Sequence, residues 1–245
     1  ATTTGKTITT NGISIQCDIV FNGVGGGWTL QDNFYAGEGV FLTNGILNTN
    51  NKDFTVYYFS TNNNNVRTLN IGSSKVTVWY GQPWDIRGTN LTYITNGANF
   101  NCSGGTFYGG NYNYNDISFS ENGSIVTDNG TTFHDVVFVK DGTIYGNHTF
   151  NSLTFGKNAT INGNNTYVNL TLGGSSNTNL EGGTTQTITG NFVSNSSCTG
   201  VSNIASTNNT PAIISKASGS VALSYVTLNN ITGTGGATFT AAFAQ

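Results

Sequence analysis

Charge is what this 245-residue chain has least of. Only 8% of its residues are Asp, Glu, Lys or Arg, against roughly a quarter in an ordinary soluble domain. The eight Lys and Arg residues are scattered along the chain and the formal net charge is −3, so no basic patch is available to pair with phosphates. We therefore expect no nucleic-acid partner.

Long apolar runs, methionine and proline are scarce as well. No stretch approaches the roughly 20 apolar residues of a membrane-spanning helix, so we expect no membrane insertion. Met is absent and Pro occurs twice, whereas Gly occurs 33 times. The frequent Thr, Val, Tyr and Phe residues favour strands, and the frequent Asn and Gly residues suit tight turns. This composition predicts an all-β protein with many turns.

Cysteine and histidine are too sparse to predict a metal site. Cys17, Cys102 and Cys198 are far apart, which excludes a zinc cluster. One disulfide is an open alternative, but buried thiols acting as small apolar residues are favoured. Neither His134 nor His148 lies in an HxH or HExxH motif. We expect neither a metal nor a cofactor.

A short apolar motif recurs through the middle of the chain. An aromatic residue is followed after two residues by a branched aliphatic residue, and after one more by Phe or Leu. The four copies begin about 19, 17 and 17 residues apart and read YNDISF from Tyr114, FHDVVF from Phe133, FNSLTF from Phe150 and YVNLTL from Tyr167. A fixed period of this size indicates one structural unit that buries its apolar face against the next copy.

The offsets within the motif predict short parallel strands joined by corners. The last two apolar residues have the same parity and should point to one face of a strand, whereas the leading aromatic has the opposite parity, so a bend should intervene. We predict a right-handed parallel β-helix, or β-solenoid, with coils of about 17–20 residues and a single domain over residues 1–245. A β-sandwich is the competing architecture, but it does not explain the period.

The repeated phrasing resembles a known group of large proteins. Residues 8–34 (ITTNGISIQCDIVFNGVGGGWTLQDNF), residues 150–155 (FNSLTF) and residues 224–241 (SYVTLNNITGTGGATFTA) are similar to Asn/Thr/Gly-rich segments of Bacteroidota cell-surface and type IX-secreted adhesin-like proteins. The resemblance covers most of the chain and implies a surface stalk or adhesive module of a larger protein. It carries over no catalytic residue.

The expected function is therefore structural and adhesive. The chain does not begin with Met, and with its low charge this indicates a mature secreted segment or an excised fragment. We expect an extracellular, non-catalytic module whose partners are surface glycans or neighbouring modules of the same protein. Exposed strand edges at the ends of a solenoid also predict end-to-end self-association.

A glycan-degrading or glycan-binding β-helix is the first alternative. Asp116 and Asp135 occupy nearly equivalent places in successive repeats, and His134 adjoins Asp135. Stacked coils could bring the two carboxylates within about 5–10 Å, a range that suits acid–base chemistry on a glycosidic bond. The competing interpretation, that each Asp bonds its own turn backbone, is favoured.

Candidate binding residues lie in the irregular segments 79–88, 104–115 and 194–210. Aromatic rings on loops of a rigid scaffold are common platforms for sugars, because the apolar face of a pyranose packs on a ring. Core packing explains such rings equally well. The candidate ligand-binding residues are Trp79, Tyr80, Trp84, Tyr108 and Tyr112.

An ice-binding β-solenoid is the second alternative. Flat, regular threonine ladders on a solenoid can order water, and Thr-x-Thr pairs occur at Thr2/Thr4, Thr7/Thr9, Thr185/Thr187/Thr189 and Thr238/Thr240. These pairs do not recur once per coil, so the sequence predicts no continuous ladder. The alternative interpretation is exposed β-branched residues with good strand propensity.

Overall fold

The computed structural model describes residues 3–79 and 84–242. The described residues form strands, turns and bends and contain no helix. The chain has two compact units, residues 1–117 and residues 118–245, and each is described by itself. In both units the strands pair in parallel with strands one coil away, which confirms the predicted all-β, parallel β-solenoid.

The described residues of the first unit form ten strands. They are β1 Lys6–Ile8, β2 Ile19–Leu30, β3 Phe34–Asn48, β4 Phe54–Ser60, β5 Arg67–Gly72, β6 Lys75–Val78, β7 Trp84–Asp85, β8 Leu91–Thr95, β9 Asn99–Cys102 and β10 Gly105–Gly110. Strand β11, Ile117–Phe119, begins with the last residue of this unit.

Three parallel ladders run through the first unit, so each of its coils is three-sided. One ladder joins β1, β2, β3, β5 and β8. A second joins β3, β4, β6 and β9, and the third joins β2, β3, β4, β7 and β10. The long strands β2 and β3 each take part in more than one ladder, and irregular registers mark the corners where they bend.

The second unit contains the remaining strands. They are β12 Gly123–Thr127, β13 Thr132–Phe138, β14 Gly142–Tyr145, β15 Thr149–Phe155, β16 Ala159–Ile161, β17 Asn165–Leu172, β18 Asn177–Leu180, β19 Thr185–Ser194, β20 Ser202–Ser206, β21 Ala212–Ser215, β22 Ser220–Ser224, β23 Val226–Asn229, β24 Ile231–Thr234 and β25 Thr238–Ala242.

The repeated motif forms the inward-facing positions of these coils, as the sequence predicts. In β13 the side chains of Phe133, Val136 and Phe138 are buried, and the register of β13 with β15 and of β15 with β17 pairs each copy with the next, 17 residues on. The paired residues skip His134, where the strand turns a corner between Phe133 and Asp135. The expected bend after the leading aromatic is therefore present.

Coil length varies outside this regular stretch. The pairing of β18 with β20 joins Asn177 to Asn203, and that of β19 with β21 joins Thr185 to Ile213. These coils are longer than the predicted 17–20 residues because the segments between their strands carry extra turn residues. The core positions are kept, since Ile204 and Ile214 are both buried, so the added residues lie in loops.

Asparagine and aspartate side chains tie successive coils together at the corners of the second unit. The side-chain oxygens of Asn129, Asn147 and Asn164 accept hydrogen bonds from the backbone N–H one coil further on, at 2.6–2.9 Å. A second ladder of the same kind runs through Asn122, Asp141 and Asn158. Corner residues cannot take part in strand ladders, so these side chains satisfy backbone groups there, which explains the high asparagine content.

Close stacking of the coils requires glycine at one of these corners. Gly163 has φ +84°, and a Cβ atom there would lie 2.2 Å from the carbonyl oxygen of Gly146 in the preceding coil. Any other residue would clash with that backbone and strain its own.

Candidate functional site

The aromatic residues proposed to bind a ligand differ in exposure. The side chain of Trp79 is 46% exposed, whereas Tyr108 and Tyr112 are half-buried. Tyr80 lies outside the described residues. Only Trp79 among the described candidates presents a largely open side chain.

The structure corrects the expectation for Trp84. Its side chain is 1% exposed, and its ring stacks against Phe59 at a centroid distance of 4.6 Å and against Phe107 at 6.4 Å. The register explains this placement, because Trp84 pairs with Phe59 one coil before and with Phe107 one coil after. Trp84 is a core residue with no ring face open to a ligand.

Tyr108 belongs to a polar cluster that is closed on itself. The guanidinium carbon of Arg87 lies 3.7 Å from the centre of the Tyr108 ring, and Arg87 donates two hydrogen bonds to the carboxylate of Asp85, at 3.0 and 2.7 Å. Asn62 donates a further one at 3.2 Å. The hydrogen bonds that Arg87 donates to Asp85 raise the pKa of Arg87, so this side chain stays charged and covers one ring face of Tyr108.

Tyr112 is held in place by two contacts within the first unit. Its hydroxyl donates a 2.9 Å hydrogen bond to the carbonyl of Leu91, and its ring lies 5.0 Å from that of Tyr93. The Tyr93 hydroxyl is buried, and burial raises its pKa far above the usual value. Tyr112 therefore has a fixed orientation, with its polar end directed into the protein.

The two candidate catalytic acids belong to different units. In the first unit Asp116 is half-buried, and its backbone carbonyl accepts a 2.8 Å hydrogen bond from the N–H of Phe100. In the second unit the side chain of Asp135 is 40% exposed and accepts a 3.0 Å hydrogen bond from Asn151. His134 Nδ1 lies 3.6 Å from the carboxylate of Asp135. A structural role at a coil corner accounts for Asp135.

A continuous hydroxyl ladder runs along one face of the second unit, contrary to the sequence expectation. Successive registers pair Thr132 with Thr149, Thr149 with Thr166, and Thr166 with Thr187, and the ladder continues through Ser215 to Thr234. The sequence contained the signal in another form: Thr directly precedes the motif aromatic in TFHDVVF, TFNSLTF and TYVNLTL. Thr-x-Thr pairs do not reveal it, because the ladder needs only one Thr in each coil.

An uncharged depression lies on the second unit, and part of it falls in the predicted segment 194–210. It is open to solvent, has a volume of about 550 Å³ and is lined by Ser206, Thr207, Asn208, Asn209, Asn229 and Asn230. Asn208 and Asn230 shape it, since the Asn208 side chain accepts from the Thr210 N–H at 2.8 Å and the Asn230 amide donates to the Asn208 carbonyl at 3.0 Å. Every lining side chain is a neutral hydrogen-bonding group.

The whole chain segment around this depression lacks exposed charge. Residues 182–245 contain one charged side chain, Lys216. Lys216 is 9% exposed, and its ammonium donates to the carbonyl of Gly190. The described surface of this segment therefore consists of neutral polar and apolar groups. In β25, at the end of the segment, every residue is exposed; end-to-end association of copies stays a prediction.

Comparison of the chain with family models, curated proteins and solved structures finds no match. Among the described residues there is no helix that could cross a membrane. The surfaces of the two units are therefore the features that bear on function.

Proposed function

We propose that this chain is an extracellular, non-catalytic β-solenoid module of a bacterial surface protein, with a structural and adhesive role that requires no cofactor. The observation that carries the proposal is the charge-free surface of residues 182–242, in which Lys216 is buried. Net charge normally keeps soluble domains apart. A surface without charged groups approaches another neutral surface without electrostatic repulsion. Contact then buries no charged side chain, so the cost of desolvation is small.

The structural part of the role is supported by the way coils are joined. Each coil in the regular part of the second unit is connected to the next by two parallel strand pairings, by stacked rings and by two corner ladders. These contacts are made by different elements, so a local distortion has to break several of them at once. Such a scaffold suits a spacer that holds a binding surface in a fixed position.

Neutral glycans are the partners that best fit the adhesive part. The depression offers amide and hydroxyl groups, which pair with sugar hydroxyls, and no charged group that would favour an ionic ligand. Asn209 and Asn229 are exposed, and within the described part of the chain their side chains make no hydrogen bond. These two amides are therefore available to a ligand.

A glycan array and sedimentation with insoluble neutral polysaccharides test this proposal. We expect wild-type protein to bind neutral glycans, and the double variant Asn209→Ala/Asn229→Ala to lose that binding. Asn177→Ala is the matched control, because Asn177 is an exposed asparagine of the same unit outside the depression. Since no charge is involved, we also expect binding to be insensitive to salt.

Two results would contradict the proposal. One is the absence of binding to every neutral glycan by protein whose folding has been checked by circular dichroism. The other is release of reducing sugars from a bound glycan, lost in Asp135→Ala or Asp116→Ala, which would establish the glycan-degrading alternative instead.

A further inference from the structure

The threonine ladder of the second unit has a regular spacing. Six hydroxyl residues on six successive coils occupy equivalent, register-paired positions: Thr132, Thr149, Thr166, Thr187, Ser215 and Thr234. Neighbouring strands lie about 4.8 Å apart, so the five steps span about 24 Å. The Thr132 and Thr149 side chains are exposed, and the other four are half-buried.

The rings beneath the ladder are stacked nearly parallel. Phe133 and Phe150 lie directly inside it with centroids 5.0 Å apart and planes inclined by 10°, and Phe150 and Tyr167 continue the stack at 5.5 Å and 12°. The column of Phe138 and Phe155 gives 5.1 Å and 5°. The registers of β13 with β15 and of β15 with β17 also run without a shift through these threonines, so this part of the ladder repeats the same geometry from coil to coil.

The side chains of the ladder are held in fixed orientations. Threonine is branched at Cβ, which restricts its first side-chain torsion, and each one follows a residue that is fixed from the inside. Thr131, His148, Asn165 and Gln186 precede the four threonines and are all buried. Asn147 and Asn164 lock the spacing of the same coils by bonding to the next backbone. The hydroxyl and methyl groups thus repeat at one spacing with little freedom to move.

We infer that this ladder is an ice-binding face: a flat row of pre-oriented hydroxyl and methyl groups that holds water in a repeating arrangement and merges with the surface of an ice crystal. A rigid row of side chains contacts a rigid ice surface at many points at once. Individually weak contacts therefore add up, because no further side-chain entropy is lost on binding. Both partners are uncharged. This activity is independent of the glycan binding proposed above, which uses a different set of residues.

A crystalline polysaccharide is the other flat, periodic and neutral solid that such a face could meet. Proteins that stack on sugar rings use aromatic side chains, and the ladder positions contain only Thr and Ser, while the motif aromatics Phe133, Phe150 and Tyr167 are buried beneath them. The residues of the ladder therefore favour ice over a polysaccharide crystal.

Thermal hysteresis and inhibition of ice recrystallisation test the inference with the full chain. We expect wild-type protein to show both activities. The double variant Thr149→Lys/Thr166→Lys should lose most of each, because two long charged side chains prevent the flat face from meeting the crystal. Thr149→Lys alone should lose part of the activity, and it disturbs the fold least because Thr149 is exposed.

The matched control is Thr143→Lys/Thr160→Lys. These threonines also pair with one another in successive coils and point outward from a different face, so they carry the same substitution without touching the ladder. We expect this control to retain both activities and all three variants to keep the wild-type circular dichroism spectrum. The inference is overturned if folded wild-type protein shows neither activity, or if both double variants lose activity equally. The inference is also overturned if the wild-type protein sediments with crystalline cellulose or chitin but shows neither ice activity, since the ladder would then bind a polysaccharide surface.

Discussion

The two units bury aromatic residues in different ways. In the second unit rings of the same column lie nearly parallel, as Phe119 and Phe138 do at 4.7 Å and 9°. The first unit has such columns too, since Trp84 stacks on Phe59 and on Phe107. It adds contacts between rings of different columns that meet close to edge-on, with Phe100 inclined at 72° to Trp84 and at 84° to Phe107.

Buried polar groups show the same contrast. In the first unit Arg67 is 1% exposed and donates to the carbonyls of Thr61, Asn65 and Thr89, at 3.0, 2.7 and 2.6 Å. One long side chain thus satisfies two irregular loops. In the second unit short asparagine side chains accept hydrogen bonds from the backbone instead, one at each successive corner. In a regular repeat one short side chain can satisfy the same backbone group in every coil, whereas an irregular coil needs a long side chain that suits that place alone.

The largest effect should come from interrupting a stacked column. Phe150 is fully buried between the rings of Phe133 and Tyr167, and neighbours fixed by the same register cannot close the gap. We expect Phe150→Ala to lower the free energy of unfolding by about 3–5 kcal/mol. Urea unfolding followed by far-UV circular dichroism measures it.

Tryptophan fluorescence separates the two units in that experiment. All three tryptophans, Trp28, Trp79 and Trp84, belong to residues 1–117, so we expect Phe150→Ala to shift the circular dichroism transition more than the fluorescence transition. Phe100→Ala is the matched change in the first unit and should shift the fluorescence transition. Equal shifts of both signals in both variants would contradict a separate response of the units.

The next largest effect should come from Arg67. We expect Arg67→Met to cost about 3 kcal/mol, because the buried carbonyl of Thr61 and the carbonyls of Asn65 and Thr89 lose their donor. Burial lowers the pKa of Arg67, and removing a desolvated charge offsets part of the loss. The fluorescence-detected urea midpoint measures the balance. Lys75→Met is the control, since Lys75 is exposed; an unchanged midpoint for Arg67→Met would mean that the arginine adds nothing to stability.

The regular coils could be predicted from the sequence, and the reason is physical. The motif at Phe133, Phe150 and Tyr167 repeats every 17 residues, and such a period has few explanations other than stacked units. The bend after the aromatic followed from strand parity alone. The longer coils, such as the one joining Asn177 to Asn203, were less predictable because loops tolerate insertions without changing the core pattern.

The candidate sites were harder to predict because exposure depends on register. Trp84 occurs in a loop-like sequence beside proline and glycine, yet pairing with Phe59 and Phe107 buries it. The threonine ladder and the depression between residues 206 and 230 both join residues from several coils. A motif in one segment does not show which residue of the next coil will lie beside it, so these surfaces emerged only from the pairing.

The smallest effect should be a dependence of stability on pH that belongs to the second unit alone. His148 is 3% exposed, and its Nε2 donates to the carbonyl of Tyr145 at 2.8 Å, while within the described residues Nδ1 has no partner. The rings of Phe133 and Phe150 lie edge-on to it at 5.7 and 6.2 Å. Because burial disfavours the cation, the pKa of His148 lies below its ordinary value of 6.5.

The sign of the pH effect follows from which state binds the proton. Below about pH 6.5 His148 binds a proton in the unfolded chain more readily than in the folded one. The free energy of unfolding should therefore fall as the pH drops, by no more than about 1.4 kcal/mol per pH unit. We expect His148→Gln to flatten the circular dichroism midpoint between pH 7 and 5, since Gln186 already occupies the paired position two coils on. His134→Gln should keep the wild-type slope, because its side chain is 55% exposed and water screens its charge. If His148→Gln kept the wild-type slope, a group other than His148 would be responsible for the pH dependence.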